Sequence, residues 1–169
     1  MPVIVSDTTP LNYLVLIEAV EILPRLYTRV LIPPAVQDEL NQPNTPELVR
    51  SWLAQSPSWL EVVSPSLPSD PALSHLDAGE TQAIALALEY QAELLVLDER
   101  DGTIAARERG LTVMGTLGVL DRAAALGWVD LPTMFTRLRQ TTFRSPLRLM
   151  ATLLEQDAVR GKKEKERMP

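Results

Sequence analysis

"PVIVSDTTPLNYL", residues 2–14, decides how the rest of the chain is read. Val3, Ile4 and Val5 are apolar and β-branched, the composition of a strand buried on both faces, as in a parallel sheet. The run does not close in a turn. It passes through Ser6 and Asp7 into Thr9-Pro10, a hydroxyl and a proline suited to the N-cap and first position of a helix. A buried strand that feeds straight into a helix is the opening of a βαβ unit. It also leaves a carboxylate, Asp7, on the seam between the two.

The same alternation recurs along the 169 residues. Further strands are expected at 29–32 ("RVLI"), 60–63 ("LEVV"), 93–97 ("ELLVL") and 112–114 ("TVM"), after the first at 2–6. Helical patterns separate them: "LNYLVLIEAVEILPRLY", broken or kinked at Pro24, then "PPAVQDELN", a stretch starting near Pro43, "DAGETQAIALALEYQ" and "DGTIAARERG", ended by Gly110. "SPSLPSDPALSHL" is a loop. "GTLGVLDRAAALGW" and two stretches, 131–141 and 145–160, complete the helices, and "GKKEKERMP" reads as a frayed, solvated tail. Strands alternating with helices in this way predict an α/β fold with a central, mostly parallel sheet. The length fits one domain with one core.

Composition narrows the chemistry. A hydrophobic content of 46% and 22% charged residues belong to a globular chain rather than a disordered one. No apolar run approaches the length of a membrane span, and "MPVIVSD" lacks the features of a signal peptide, so a cytoplasmic location is expected. With no cysteine and a single histidine, His75, thiolate metal sites, a cysteine nucleophile, a zinc centre and a Ser-His-Asp triad are disfavoured. Chemistry must rest on carboxylates. The net charge of −6 argues against a nucleic-acid partner when taken alone. The region from Arg137 to Arg167 is nevertheless locally basic, by default as a solvated helix face.

Two acids stand at strand ends: Asp7 after "VIVS" and Asp98 after "LLVL". In a parallel sheet both ends share one edge, where ligands of open α/β sheets bind. Glu80 opens a helix, and Glu39 sits on the shoulder of an apolar stripe, so it should point partly inward. Carboxylates gathered at one edge repel, by roughly 4 kcal/mol for a pair about 4 Å apart at an effective dielectric near 20, unless some protonate or a cation holds them. An oxygen-only set suits Mg²⁺ or Mn²⁺, which supports phosphodiester hydrolysis. Structural readings stand beside this one. Asp77 and Glu80 have capping-box spacing, Asp98 could cap the helix that follows with Asp101 at its third position, and Asp7 could cap the first helix. Glu39 could be solvated, Asp38 should face water, and His75 reads as a surface residue. "GTLG", residues 115–118, lacks the lysine of a phosphate loop and reads as close packing at a helix start.

"VSDTTPLNYL", "PPAVQDEL", "LDAGETQAIALALE" and "LLVLDERDGTIAARERGLTVMGTLGVL", in this order and spacing, resemble the PIN-domain superfamily, and within it the VapC-like toxins of prokaryotic toxin–antitoxin pairs. The resemblance covers about residues 1–130, with 131–160 as a helical extension of the same domain and 161–169 as the charged tail. It implies a three-layer α/β/α sandwich and an Mg²⁺- or Mn²⁺-dependent endoribonuclease acting on single-stranded RNA, with a cognate antitoxin and a homodimer as partners. Asp7, Glu39, Glu80 and Asp98 match the family's acidic positions, implying metal ligation, for Glu39 through water, with one carboxylate orienting the attacking water. Glu99 or Asp101 are alternates to Asp98, and Thr8 and Thr9 would hydrogen-bond the metal ligands or a phosphate. The competing reading is a PIN-like nucleic-acid-binding or regulatory module without catalytic activity.

Overall fold

The structure, a computed structural model, describes residues 2–55 and 57–169. It divides into two compact units, residues 1–116 and 117–169.

The first unit holds five strands, β1 (Val3–Ser6), β2 (Arg29–Ile32), β3 (Leu60–Val62), β4 (Leu94–Val96) and β5 (Val113–Met114). They form one sheet in the order β3-β2-β1-β4-β5, and every neighbouring pair is parallel. All five lie where the apolar runs place them. The helices of this unit are α1 (Thr8–Leu16), α2 (Ile22–Leu26), α3 (Pro34–Leu40), α4 (Glu47–Ala54), α5 (Ala78–Glu89) and α6 (Arg100–Glu108), with a short 3₁₀ turn at Pro71–Leu73. From β1 the chain steps to β2 and β3, then crosses β1 to reach β4 and β5. Right-handed crossovers in opposite directions place helices on opposite faces. The result is a three-layer α/β/α sandwich. Val5 pairs in register with Leu31 and Leu95, and these three pack with Ala83, Ile84, Ala87, Ala105 and Ala106 of α5 and α6. The alternate residues Ile4, Val30 and Val96 are fully buried on the other face.

Local differences from the sequence reading have physical causes. The first helix starts one residue before Thr9, with Asp7 at the N-cap and Pro10 inside the first turn, where no amide hydrogen is needed. The break in the long helical pattern comes before Pro24: Glu18 adopts φ 61°, and Pro24 sits within the first turn of α2. The helix expected from Pro43 begins at Glu47, after Pro46.

The second unit contains most of α7 (Thr116–Ala125), α8 (Leu131–Arg139) and α9 (Leu147–Arg167). Asp130 caps α8 through the Thr133 amide, and Pro132 lies in the first turn. α9 packs on α8. Arg160 ties α9 to α7 by donating to Asp121 at 2.7 Å, with Asp157 on the same helix also accepting at 3.2 Å. The helix does not stop near residue 160; it continues to Arg167, where lysines and glutamates alternate at spacings that favour helical pairing. Among the described residues, no helix is long and apolar enough to cross a membrane.

Candidate active site

The strand order reverses direction between β1 and β4, so the chain opens a crevice at their carboxyl ends. Asp7 leaves β1 there and Asp98 follows β4. Asp7 is rigidly placed: its amide donates to the Val96 carbonyl at 2.9 Å, which carries the sheet ladder one residue past the strand. The side chain is almost fully buried, and its Oδ1 has no hydrogen-bond partner. It makes no capping bond to α1. Burial pushes its pKa up to about 8, partly offset by the Thr8 amide, and the negative charges of Asp77, Glu39 and Glu80 raise it further.

α3 meets α5 at this edge, where the Ala35 amide donates to Gln82. The contact brings Glu39 to the start of α5. Glu39 is exposed overall, as is Asp38, yet its Oε2 accepts from the Thr8 hydroxyl at 2.7 Å. Gly79 shows how close the acids are. A Cβ on this residue would stand 3.3 Å from Asp7 Oδ1, 3.3 Å from Glu39 Oε2 and 3.4 Å from Asp77 Oδ1. Glycine therefore leaves a small space onto which three carboxylates converge.

The capping box between Asp77 and Glu80 is present. The Glu80 amide donates to Asp77 Oδ1 at 2.8 Å, and the Asp77 amide to Glu80 Oε2 at 3.3 Å. Capping does not remove either acid from the cluster, because both charges act on Asp7. Burial first, and the neighbouring Asp77 second, push Glu80 up to about 7, with Glu99 adding to the rise. The sequence reading gives Asp77 a capping role; the signal for more is the glycine two residues on, in "DAGE", at a position where a side chain would fill the space.

Asp98 is placed differently. Its Oδ1 accepts from the Thr116 amide at 2.8 Å and its Oδ2 from the Thr116 hydroxyl at 2.6 Å. Its pKa is raised by burial, with both bonds to Thr116 pulling it back. A Cβ on Gly115 would lie 2.6 Å from Asp98 Oδ1, so "GTLG" is indeed close packing at a helix start. Asp98 does not cap α6; Glu99 does, accepting from the Gly102 amide at 2.8 Å, while Asp101 is exposed in the first turn. Asp7, Glu39 and Glu80 thus lie together with Asp77 and Thr8, while Asp98 accepts both bonds from Thr116.

Among the described residues, no three acids already close around one ion-sized point. The donor chemistry still fits a hard divalent cation: an orphaned buried oxygen on Asp7, three oxygens facing one cradle, and no sulfur or imidazole among them.

A model of a PIN-domain family, DUF3368, matches residues 3–158. Among solved structures, a PilT N-terminus domain protein from the hyperthermophilic archaeon Sulfolobus solfataricus P2 is similar. The TM-score is 0.53 at 20% identity, over 73% of this chain and 93% of that one, a likeness of fold alone. No curated protein matches the sequence.

Proposed function

This chain belongs to the PIN-domain family, whose members are generally metal-dependent nucleases, and from that premise we propose that it is an Mg²⁺- or Mn²⁺-dependent endoribonuclease that hydrolyses phosphodiester bonds of single-stranded RNA. One observation carries the reading: Asp7, buried, without a partner for Oδ1 and lifted to about 8 among three other acids. A protein has little reason to hold such a group unless a cation completes it. Asp7, Glu39 and Glu80 would hold the cation, Glu39 directly or through water, and Asp77 borders the same space. Asp98, held by Thr116, would supply a further ligand, with Glu99 or Asp101 as alternates.

A bound divalent cation supplies a water of lowered pKa and neutralises charge at the phosphorus. This chain's own groups do the rest. The Thr8 hydroxyl orients Glu39 by donating to Oε2. One carboxylate of the set would orient the attacking water. Glu80 Oε2 is held by the Asp77 amide, which keeps the carboxyl group from swinging into solvent. Gly79 keeps the space between the acids open for the cation.

The toxin role, a cognate antitoxin, a homodimer and a cytoplasmic location are supported by the VapC-like order of motifs. The test is cleavage of an unstructured RNA with Mn²⁺, with Mg²⁺ and with chelator. Cleavage that needs metal and disappears in Asp7→Asn is expected. If the wild type cuts no RNA with either metal, yet binds it as tightly as Asp7→Asn does, the protein is a binding module instead.

A further inference from the structure

A groove with a volume of about 420 Å³ opens beside the acidic edge, between α6 and the turn at 71–75. Asp101, Ile104 and Glu108 line it from one stripe of α6, while Leu73 forms buried floor; His75 and Arg109 complete the walls. Asp101 and Glu108 are seven residues apart, so the groove runs about 10 Å along the helix. Its near end adjoins the site: His75 is two residues before Asp77, and Asp101 two residues after Glu99, whose charge reaches Glu80.

We propose that this groove is a nucleobase subsite, selective for guanine, that receives the base next to the bond being cut. The proposal rests on the nuclease reading for its place in the reaction. The volume and length suit one base, and Ile104, 45% exposed, offers apolar surface for its face, with the His75 ring beside it. A base entering from the acidic edge keeps its sugar and phosphate near Asp101 and points its Watson–Crick edge down the groove towards Glu108. That end presents an acceptor. Arg109 stands beside it with two of its five N–H donors spent, Nη2 on Asp70 at 3.0 Å and Nη1 on the Ala105 carbonyl at 3.0 Å, and the rest suit a carbonyl such as guanine O6. Guanine alone among the four bases offers two adjacent N–H donors, N1 and N2, that match both oxygens of one carboxylate. Uracil offers one N–H between two acceptors, and cytosine and adenine a single amino group each.

The test uses uncharged nucleosides, whose binding does not depend on a metal. His75 is the only histidine in the chain, so its ring proton resonances identify themselves. Guanosine should shift them saturably. Inosine, which lacks the 2-amino group, and adenosine should bind at least about fivefold more weakly, a smaller ratio than a fully buried site imposes because the groove is open to water. Glu108→Gln should erase that preference. The proposal is overturned if the His75 signals respond to no nucleoside, or equally to guanosine, inosine and adenosine. RNA cleavage mapping separates this reading from the nuclease reading. Loss of preference for cutting beside guanine in Glu108→Gln supports the subsite; unchanged cutting positions overturn it and leave the nuclease standing. Guanosine binding by a protein that cuts no RNA supports the subsite and removes only the nuclease.

Discussion

Asp7→Asn should make the metal-free protein more stable, an unusual outcome for a buried polar position. Asp7 has an ordinary value of 3.8 and a folded value of about 8. Between these values the native state binds more protons than the unfolded chain, so stability falls as pH rises, and the whole cost is present only above 8. At about 1.4 kcal/mol for each pH step above 3.8, folding around this carboxyl costs up to about 4 kcal/mol at pH 7. Relaxation and water entry reduce that figure. A quarter of it, about 1 kcal/mol, still raises Tm by about 2–4 °C in a chain of this size. Asparagine removes the charge, keeps the shape and turns an amide donor towards carboxylate acceptors. Thermal or urea unfolding of both proteins in chelator, from pH 5 to pH 8, should show a gain for the variant that widens with pH. Adding Mn²⁺ should raise the Tm of the wild type and leave the variant unchanged. A variant less stable than wild type at pH 7–8, or a difference that ignores pH, would refute this account of Asp7.

Three further substitutions test the surroundings. Gly79→Ala places a methyl group 3.3–3.4 Å from three carboxylate oxygens; helix propensity offsets the crowding, so stability should change by no more than about 1 kcal/mol, while the Mn²⁺-induced rise in Tm is lost. Thr116→Val removes the hydroxyl that donates to Asp98 Oδ2 and should cost about 1–3 kcal/mol in urea unfolding without metal; no loss would mean that Asp98 is not anchoring α7. Asp77→Asn keeps a capping acceptor whereas Asp77→Ala loses one, so only the alanine variant should lose about 1 kcal/mol. Both remove a like charge and should lower the pKa of Asp7, read from its carboxyl ¹³C shift.

The sheet was legible because each buried parallel strand is a short apolar run between helical patterns, and because a two-sided core leaves no polar alternation to confuse the period. The site was legible in part. Asp7 and Glu80 stood out by position, at a strand end and at a helix start. Glu39 could be suspected from its place on the apolar stripe, but its pairing with Thr8 depends on α1 and α3 meeting, a contact between residues more than thirty positions apart. The partner of Asp98 was not legible at all, since Thr116 lies eighteen residues on and begins a different helix from the one that follows Asp98.

By itself the sequence determined the strands and most of the helices, the parallel alternation, and the restriction to carboxylate chemistry, because periodicity and residue type act locally. Only the tertiary structure decided which acids share a space, which serve as caps, and which do both, because charge repulsion and burial depend on distances across the sheet edge. "DAGE" shows the division: its spacing dictates the capping box, and only the approach of Asp7 and Glu39 makes its glycine the centre of the site.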